Sequence, residues 1–139
     1  MTNLFIDTNV MIDFLGEREP FYEAIAKIIV LAENQEIKLT ASSLSFVNTF
    51  YVLSKIFDKK KLHEILSKFR ILCDVANIDE INIDKSLHSE FNDFEDAVQY
   101  HSALHNKCNI FITRNKKDFK SAELPIMTPS EFLTSINKK

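Results

Sequence analysis

The sequence predicts an α/β fold, a parallel sheet covered by helices on both faces. Two observations predict it. Short apolar runs rich in strand formers (NLFI, IKLTA, CDVAN, CNIFIT and IMT) alternate along the chain with longer segments of helical periodicity. Strands separated by helix-length segments pair in parallel, with the helices returning over the faces of the sheet. At 139 residues and 45% hydrophobic, with neither repeats nor a linker, residues 1–139 are expected to form one domain with one core.

NLFI is the first expected strand, and TNVMIDFL follows as a helix with apolar residues at 10, 11, 14 and 15, so Asp7 stands at a strand-to-helix junction. EREPFYEAIAKIIVLAENQ reads as the second helix, with Pro20 in its first turn and an apolar face at 21, 25, 28, 29 and 31 or 32. IKLTA is the second strand. Ser42 and Ser43 are placed to cap LSFVNTFYVLSKIF, which is apolar nearly all round and therefore expected to be buried. Asp58 is the expected cap of KKKLHEILSKFRIL, whose charges lie opposite Leu62, Ile65, Leu66 and Phe69. CDVAN is a third strand, followed by a short helix around DKSLHSEF. NDFEDAVQYHSALHNK begins a helix near Asn92 or Asp93, and CNIFIT is the most strand-like run in the chain. RNKKDFKSAELP reads as a charged loop, IMT as an edge strand, and Pro129 opens a last helix, SEFLTSI.

A net charge of -3, one glycine, twelve phenylalanines and no charge blocks exclude a disordered chain, and the overall charge does not mark a nucleic-acid binder; a local basic patch beside an acidic site gives the same total. Cys73 and Cys108 lie in or beside apolar runs, as buried thiols of a reducing compartment do. No run approaches the roughly 20 apolar residues of a membrane span, and no export signal is visible. The expected location is the cytoplasm.

In an open parallel sheet, ligands bind beyond the carboxyl ends of the strands. Asp7 ends the first strand, and Thr113, Arg114 and Asn115 end CNIFIT, with Asp118 three residues further on. Asp93 and Asp96 share one side of the first turn of a crossover helix, whose N-terminus lies at the same edge of the sheet. Asp7, Asp96 and the 113–118 loop are therefore expected to meet. Such carboxylates repel unless a cation is present, and Asp with Asn and Thr form a hard-oxygen set suited to Mg²⁺ or Mn²⁺. An ion of this kind activates water and clamps the oxygens of a phosphodiester. Each residue also has a plainer reading. Asp7 serves equally as a helix cap, Asp93 and Asp96 as complements to a helix dipole, and Asp118, Arg114, Lys116 and Lys117 as solvated charges. His101 and His105 are four apart on a helix, but no third ligand accompanies them as catalytic zinc requires. FIDTNV lacks the second Asp, two positions after the first, that a haloacid-dehalogenase-like phosphotransferase uses; Asn9 stands there.

LFIDTNVMIDFL, DFEDAVQYHSAL and IFITRNKKDF, with the closing IMTPSEFL, resemble in order and spacing the PIN-domain family, metal-dependent nucleases that include the VapC-type toxins of bacterial toxin-antitoxin pairs. The resemblance implies a three-layer α/β/α sandwich with a central, mostly parallel sheet. It also implies cleavage of single-stranded or structured RNA with Mg²⁺ or Mn²⁺. Asp7 matches the family's first acid and Asp96 its third. The second, a Glu in the central helix, falls at Asn48, and the fourth, after Thr-Arg, at Asn115. On this reading Asp7, Asp96 and Asp118 carry catalysis and bind the metal, with Asp93 as a further ligand. Asn9, Asn48, Thr113 and Asn115 then orient ligands or water, and Arg114, Lys116 and Lys117 steady the RNA. The partners implied are an RNA substrate, an antitoxin protein whose C-terminal segment occupies the site, and a second copy in a homodimer. Two of the four family acids are neutral amides here, so the competing reading is a catalytically inactive PIN fold that binds RNA or protein.

Overall fold

The computed structural model describes residues 1–119 and 122–137. In chain order the elements are β1 (Asn3–Ile6), α1 (Thr8–Leu15), α2 (Tyr22–Glu33), β2 (Lys38–Ser42), α3 (Ser43–Leu53), α4 (Lys59–Leu72) and β3 (Cys73–Ala76). Then come α5 (Glu80–Leu87), α6 (Phe94–His105), β4 (Ile110–Ile112), a 3₁₀ turn (Lys116–Phe119), β5 (Ile126–Met127) and α7 (Pro129–Asn137). The strands form one sheet in the order β3-β2-β1-β4-β5, and every pairing is parallel.

β1 is the central strand, and its side chains alternate between the two faces as a strand's must. Leu4 and Ile6 pack with Val10, Met11, Ile25, Ile28, Phe69 and Phe132 from α1, α2, α4 and α7. Phe5 points the other way, stacks on Phe111 of β4 with ring centroids 5.2 Å apart, and joins Tyr100 and Ala103 of α6. Helices thus cover both faces, and the architecture is the α/β/α sandwich with a sheet that is parallel throughout. Cys73 and Cys108 are free and buried, and burial pushes both thiols up, Cys108 to about 11, which keeps them protonated and unreactive. Among the described residues no helix is long and apolar enough to cross a membrane.

Several boundaries differ from the sequence expectation for identifiable reasons. α2 starts at Tyr22, so Pro20 sits in the preceding turn and not in the first helical turn, although the face at Ile25, Ile28, Ile29 and Ala32 is buried as expected. The short helix before α6 covers residues 80–87, not 84–91, because Asp79 caps it by accepting from Asn82 N at 2.9 Å. Its inward residues are the polar Asn82 and Ser86, while Ile81 and Leu87 are exposed, which is why apolar spacing misplaced it. α3 is not buried all round. Ser45, Thr49 and Leu53 face inward at helical spacing, whereas Val47 and Tyr51 are each 67% exposed. β4 is shorter than CNIFIT, and the expected loop at 114–125 contains the 3₁₀ turn that buries Phe119; its Lys120 and Ser121 lie outside the described residues.

Candidate active site

Asp7 ends β1 and begins α1 at once. Its N–H donates to Ile112 O of β4 at 2.9 Å, and its carbonyl accepts from Val10 and Met11 N–H at 3.1 and 3.2 Å. The side chain caps α1 by accepting from Thr8 N at 2.8 Å. Capping is therefore part of its role, yet the carboxylate is only 7% exposed and far better held than a cap requires. Thr113 Oγ1 donates to Oδ2 at 2.9 Å, and Gln99 Nε2 donates to Oδ1 at 3.2 Å. Burial raises the Asp7 pKa and these hydrogen bonds oppose the rise, leaving it above the ordinary value.

Two side chains build this cradle. Thr113 is fully buried; its hydroxyl donates to Asp7 and accepts from Asn9 Nδ2 at 3.4 Å and Asn115 N at 3.2 Å. Gln99, also fully buried, reaches Thr8 Oγ1 at 3.0 Å and Ser45 Oγ at 2.7 Å besides Asp7, and its Oε1 accepts from Ser42 Oγ. An amide nitrogen has two hydrogens, so three acceptors share them. Through Gln99, the end of β2 and the start of α3 are tied to Asp7.

At the N-terminus of α6, Asp93 caps the helix by accepting from Asp96 N at 3.1 Å. The Asp96 carboxyl is pushed up to about 7, first by desolvation and then by the negative charges of Asp7, Asp93, Asp118 and Glu95. Glu95 is raised for the same reasons, desolvation first and then Asp7 and Asp93, against a hydrogen bond from Asn48 Nδ2 at 3.3 Å that lowers it. Asp93, Asp96, Lys117 and Asp118 line a cavity of about 360 Å³ with Glu90, Phe91 and Asn92. Among the described residues Lys117 is the one cation on that wall.

The other two basic residues are engaged elsewhere. Arg114 Nε lies 2.7 Å from Asp13 Oδ2 in an ion contact without hydrogen-bond alignment, and its guanidinium sits 4.1 Å from the Phe21 ring centroid. Asp13, buried in α1, also accepts from Arg18 Nε at 3.0 Å. Lys116 pairs with Glu131 of α7 at 2.9 Å. His101 Nδ1 lies 2.8 Å from Ala97 O and 3.1 Å from Ser86 Oγ, in a separate cavity that His105 also lines.

The donor chemistry around Asp7 suits a divalent cation, since the carboxylates are hard oxygen donors whose pKa values are raised first by desolvation and then by their mutual repulsion. The acids ring Asp7 without converging, and among the described residues no three Asp, Glu, His or Cys side chains stand close enough to hold an ion as they are arranged. Sequence reasoning brought Asp7, Asp96, Asp93, Asp118, Asn9, Thr113 and Lys117 together at one edge of the sheet. It missed Glu95, Gln99, Ser45 and Asp13. Gln99 was within reach of it, three residues after Asp96 and hence on the same side of α6. Glu95 was not, because its contact with Asn48 spans two helices remote in sequence.

The family model described as PIN domain matches residues 3–117. The chain is similar to Ribonuclease VapC1 of Aquifex aeolicus (strain VF5), with 31% identity over 135 residues covering 93% of this chain and 92% of that protein. Among solved structures, it resembles a chain of a toxin-antitoxin complex from Klebsiella pneumoniae at a TM-score of 0.69 and 22% identity, covering 91% of this chain and 97% of that one. It also resembles a chain of DNA-bound VapBC from Salmonella typhimurium, at a TM-score of 0.68 and 16% identity, with 93% and 99% covered. At these identities the structural matches speak for the fold.

Proposed function

Because the chain belongs to the PIN-domain family, we propose that it is a metal-dependent endoribonuclease, hydrolysing RNA at the acidic cluster around Asp7. The observation that carries this reading is the buried Asp7 carboxylate, fixed by Thr113 and Gln99 and set in the field of Asp96, Asp118 and Glu95, with Lys117 lining the adjoining cavity. Asp7, Asp96 and Asp118 would hold Mg²⁺ or Mn²⁺, with Asp93 at the rim. When bound, such an ion supplies Lewis acidity toward a phosphodiester and a nucleophilic water at neutral pH.

The chain's own residues do the rest. Thr113 fixes the direction of one Asp7 oxygen, and Asn9 and the Asn115 N–H fix Thr113. Gln99 holds the other oxygen, so Asp7 has no rotational freedom to lose when a ligand arrives. Lys117 is the basic residue placed to meet a phosphate near the acids, while Arg114 anchors the 113–115 segment to α1 through Asp13. Asn48 and Asn115 act as neutral groups, Asn48 toward Glu95 and Asn115 toward Thr113.

An antitoxin protein is the proposed regulatory partner, supported by the toxin-antitoxin complexes whose chains share this fold. A homodimer and a cytoplasmic location are part of the same reading. The test is incubation of a mixed single-stranded and structured RNA pool with the purified protein in Mn²⁺, beside an EDTA control, Asp7→Asn and Asp96→Asn. Cutting in Mn²⁺ that both substitutions and EDTA abolish is the expected result. Intact RNA throughout would favour the inactive binding module, for which the amides at Asn48 and Asn115 speak; cutting that persists in Asp7→Asn would place the chemistry elsewhere.

A further inference from the structure

We propose that the cavity between the N-termini of α2 and α7 is a base-binding subsite, in which a nucleobase of single-stranded RNA stacks against the Phe21–Arg114 pair. The inference rests on the ribonuclease reading above and names where the substrate is held beside the acids.

The cavity has a volume of about 370 Å³, within the roughly 300–1,000 Å³ of small-molecule sites. It is lined by Pro20 and Phe21 from the turn before α2, by Pro129 and Ser130 from the start of α7, and by Arg114 and Asn115 from the segment after β4. Phe21 is the residue that local structure explains least. It holds the N-cap of α2, a place where Ser, Thr, Asp or Asn satisfies a free N–H, and it makes no capping hydrogen bond. Nor does it belong to the core, since it is 39% exposed. Its partner is the Arg114 guanidinium, 4.1 Å from the ring centroid. Aromatic rings and guanidinium planes are the surfaces on which unstacked RNA bases lie.

Two observations favour RNA as the occupant. The single carboxylate of Asp13 lies against the guanidiniums of both Arg18 and Arg114, so the trio carries one positive charge in excess. Among the described residues Arg114 is the one charged side chain on the cavity wall, which suits the phosphates on either side of a bound base. The second observation is position. Asn115 lines this cavity while its N–H donates to Thr113 Oγ1, the hydroxyl that holds Asp7. Lys117 and Asp118, a few residues further on, line the cavity of the acids. The 114–118 segment thus borders both cavities, and an RNA strand lying across it places one nucleotide at the acids and a neighbour at Phe21. Asn115 and Ser130 offer side-chain donors and acceptors to the edge of a base, groups for which the apolar anchor of a docking peptide has no use.

The chain has no tryptophan, so Phe21→Trp introduces a lone indole as a reporter in the cavity. The test is made in the full chain carrying Asp7→Asn, so that RNA is bound without being cut, with Phe21→Trp or Phe21→Leu added. Circular dichroism melts establish that each variant is folded. The probes are short single-stranded RNA of random sequence and an abasic ribose-phosphate oligomer of the same length, both end-labelled for anisotropy. Expected are quenching of the indole by RNA and not by the abasic oligomer, and RNA binding by Phe21→Leu about tenfold weaker than by the parent, with the abasic oligomer bound equally by both. RNA that binds while the indole fluorescence stays unchanged leaves the cavity to another occupant, such as an antitoxin segment; it overturns this inference and leaves the ribonuclease reading standing. Equal weakening of both oligomers by Phe21→Leu would assign Phe21 to holding Arg114 against phosphates and overturn base stacking. A parent that binds no RNA overturns the ribonuclease reading itself, and this inference with it.

Discussion

In metal-free solution the acidic cluster should make the protein less stable as the pH rises. Asp96 carries the largest part of this effect that can be worked from the structure. Its carboxyl is raised from 3.8 to about 7, so between those values the folded state holds a proton that the unfolded chain has released. Stability linked to Asp96 is therefore fully present below about pH 4 and is lost as the pH passes through 7. Three pKa units correspond to about 4 kcal/mol in a sealed interior, but Asp96 is only half-buried, and solvent screening reduces this to about 1–2 kcal/mol. For a chain of this size that is a fall in melting temperature of about 3–8 °C.

The assay is thermal melting in EDTA from pH 4 to 8 for the wild type and Asp96→Asn. Asp7, Asp93, Glu95, Asp118 and Lys117 face the same field, so the difference between the two proteins isolates residue 96. The wild type should lose ground to Asp96→Asn as the pH rises, and Mn²⁺ at pH 8 should restore it. A difference that stays constant over this range, or moves in favour of the wild type at high pH, would refute the reasoning.

Three further substitutions probe the framework of the site. Asp13→Ala leaves Arg18 and Arg114 without their buried partner; both cations keep some solvent, so a loss of about 2 kcal/mol is expected in chemical denaturation, with no coupling to substitutions at Lys116. Gln99→Leu removes the amide donor shared by Asp7 Oδ1, Thr8 Oγ1 and Ser45 Oγ and the acceptor of Ser42 Oγ, leaving this buried network under-satisfied, and should cost about 2–3 kcal/mol by the same measurement, more than Gln99→Glu at a pH low enough to protonate it. Thr113→Val keeps the shape but removes the donor to Asp7. It should lower stability by about 1 kcal/mol and slow any Mn²⁺-dependent RNA cleavage by about tenfold or more, since the freed carboxylate loses its orientation.

The sheet was legible because its strands are short apolar runs bounded by polar turns, and β1, buried on both faces, is the clearest case. That Asp7, Asp96 and Asp118 lie at one edge of the sheet was legible for a topological reason: parallel strands put their carboxyl ends, and the starts of the helices that follow or cross over, on one edge. What the sequence did not disclose is where polar residues face inward. Ser45 on α3, and Asn82 and Ser86 on α5, occupy inner faces because hydrogen-bond partners wait there, for instance Gln99 for Ser45 and Val98 O for Asn82. Hydrophobic periodicity is blind to such faces, so it predicts α3 as a buried helix apolar nearly all round and places α5 four residues late. The ion pair of Arg114 is hidden from the sequence for a related reason. Charge and position suggested a phosphate contact, but Asp13, which holds it, is an acid inside an otherwise apolar helix face, and the pairing spans about a hundred positions.

The most direct test of the acidic site is anomalous diffraction from crystals of the protein grown with Mn²⁺. An anomalous peak in contact with the carboxylates of both Asp7 and Asp96 is the predicted result. Crystals in which Mn²⁺ gives no peak at that cluster, or only one beside His101 and His105, would contradict it.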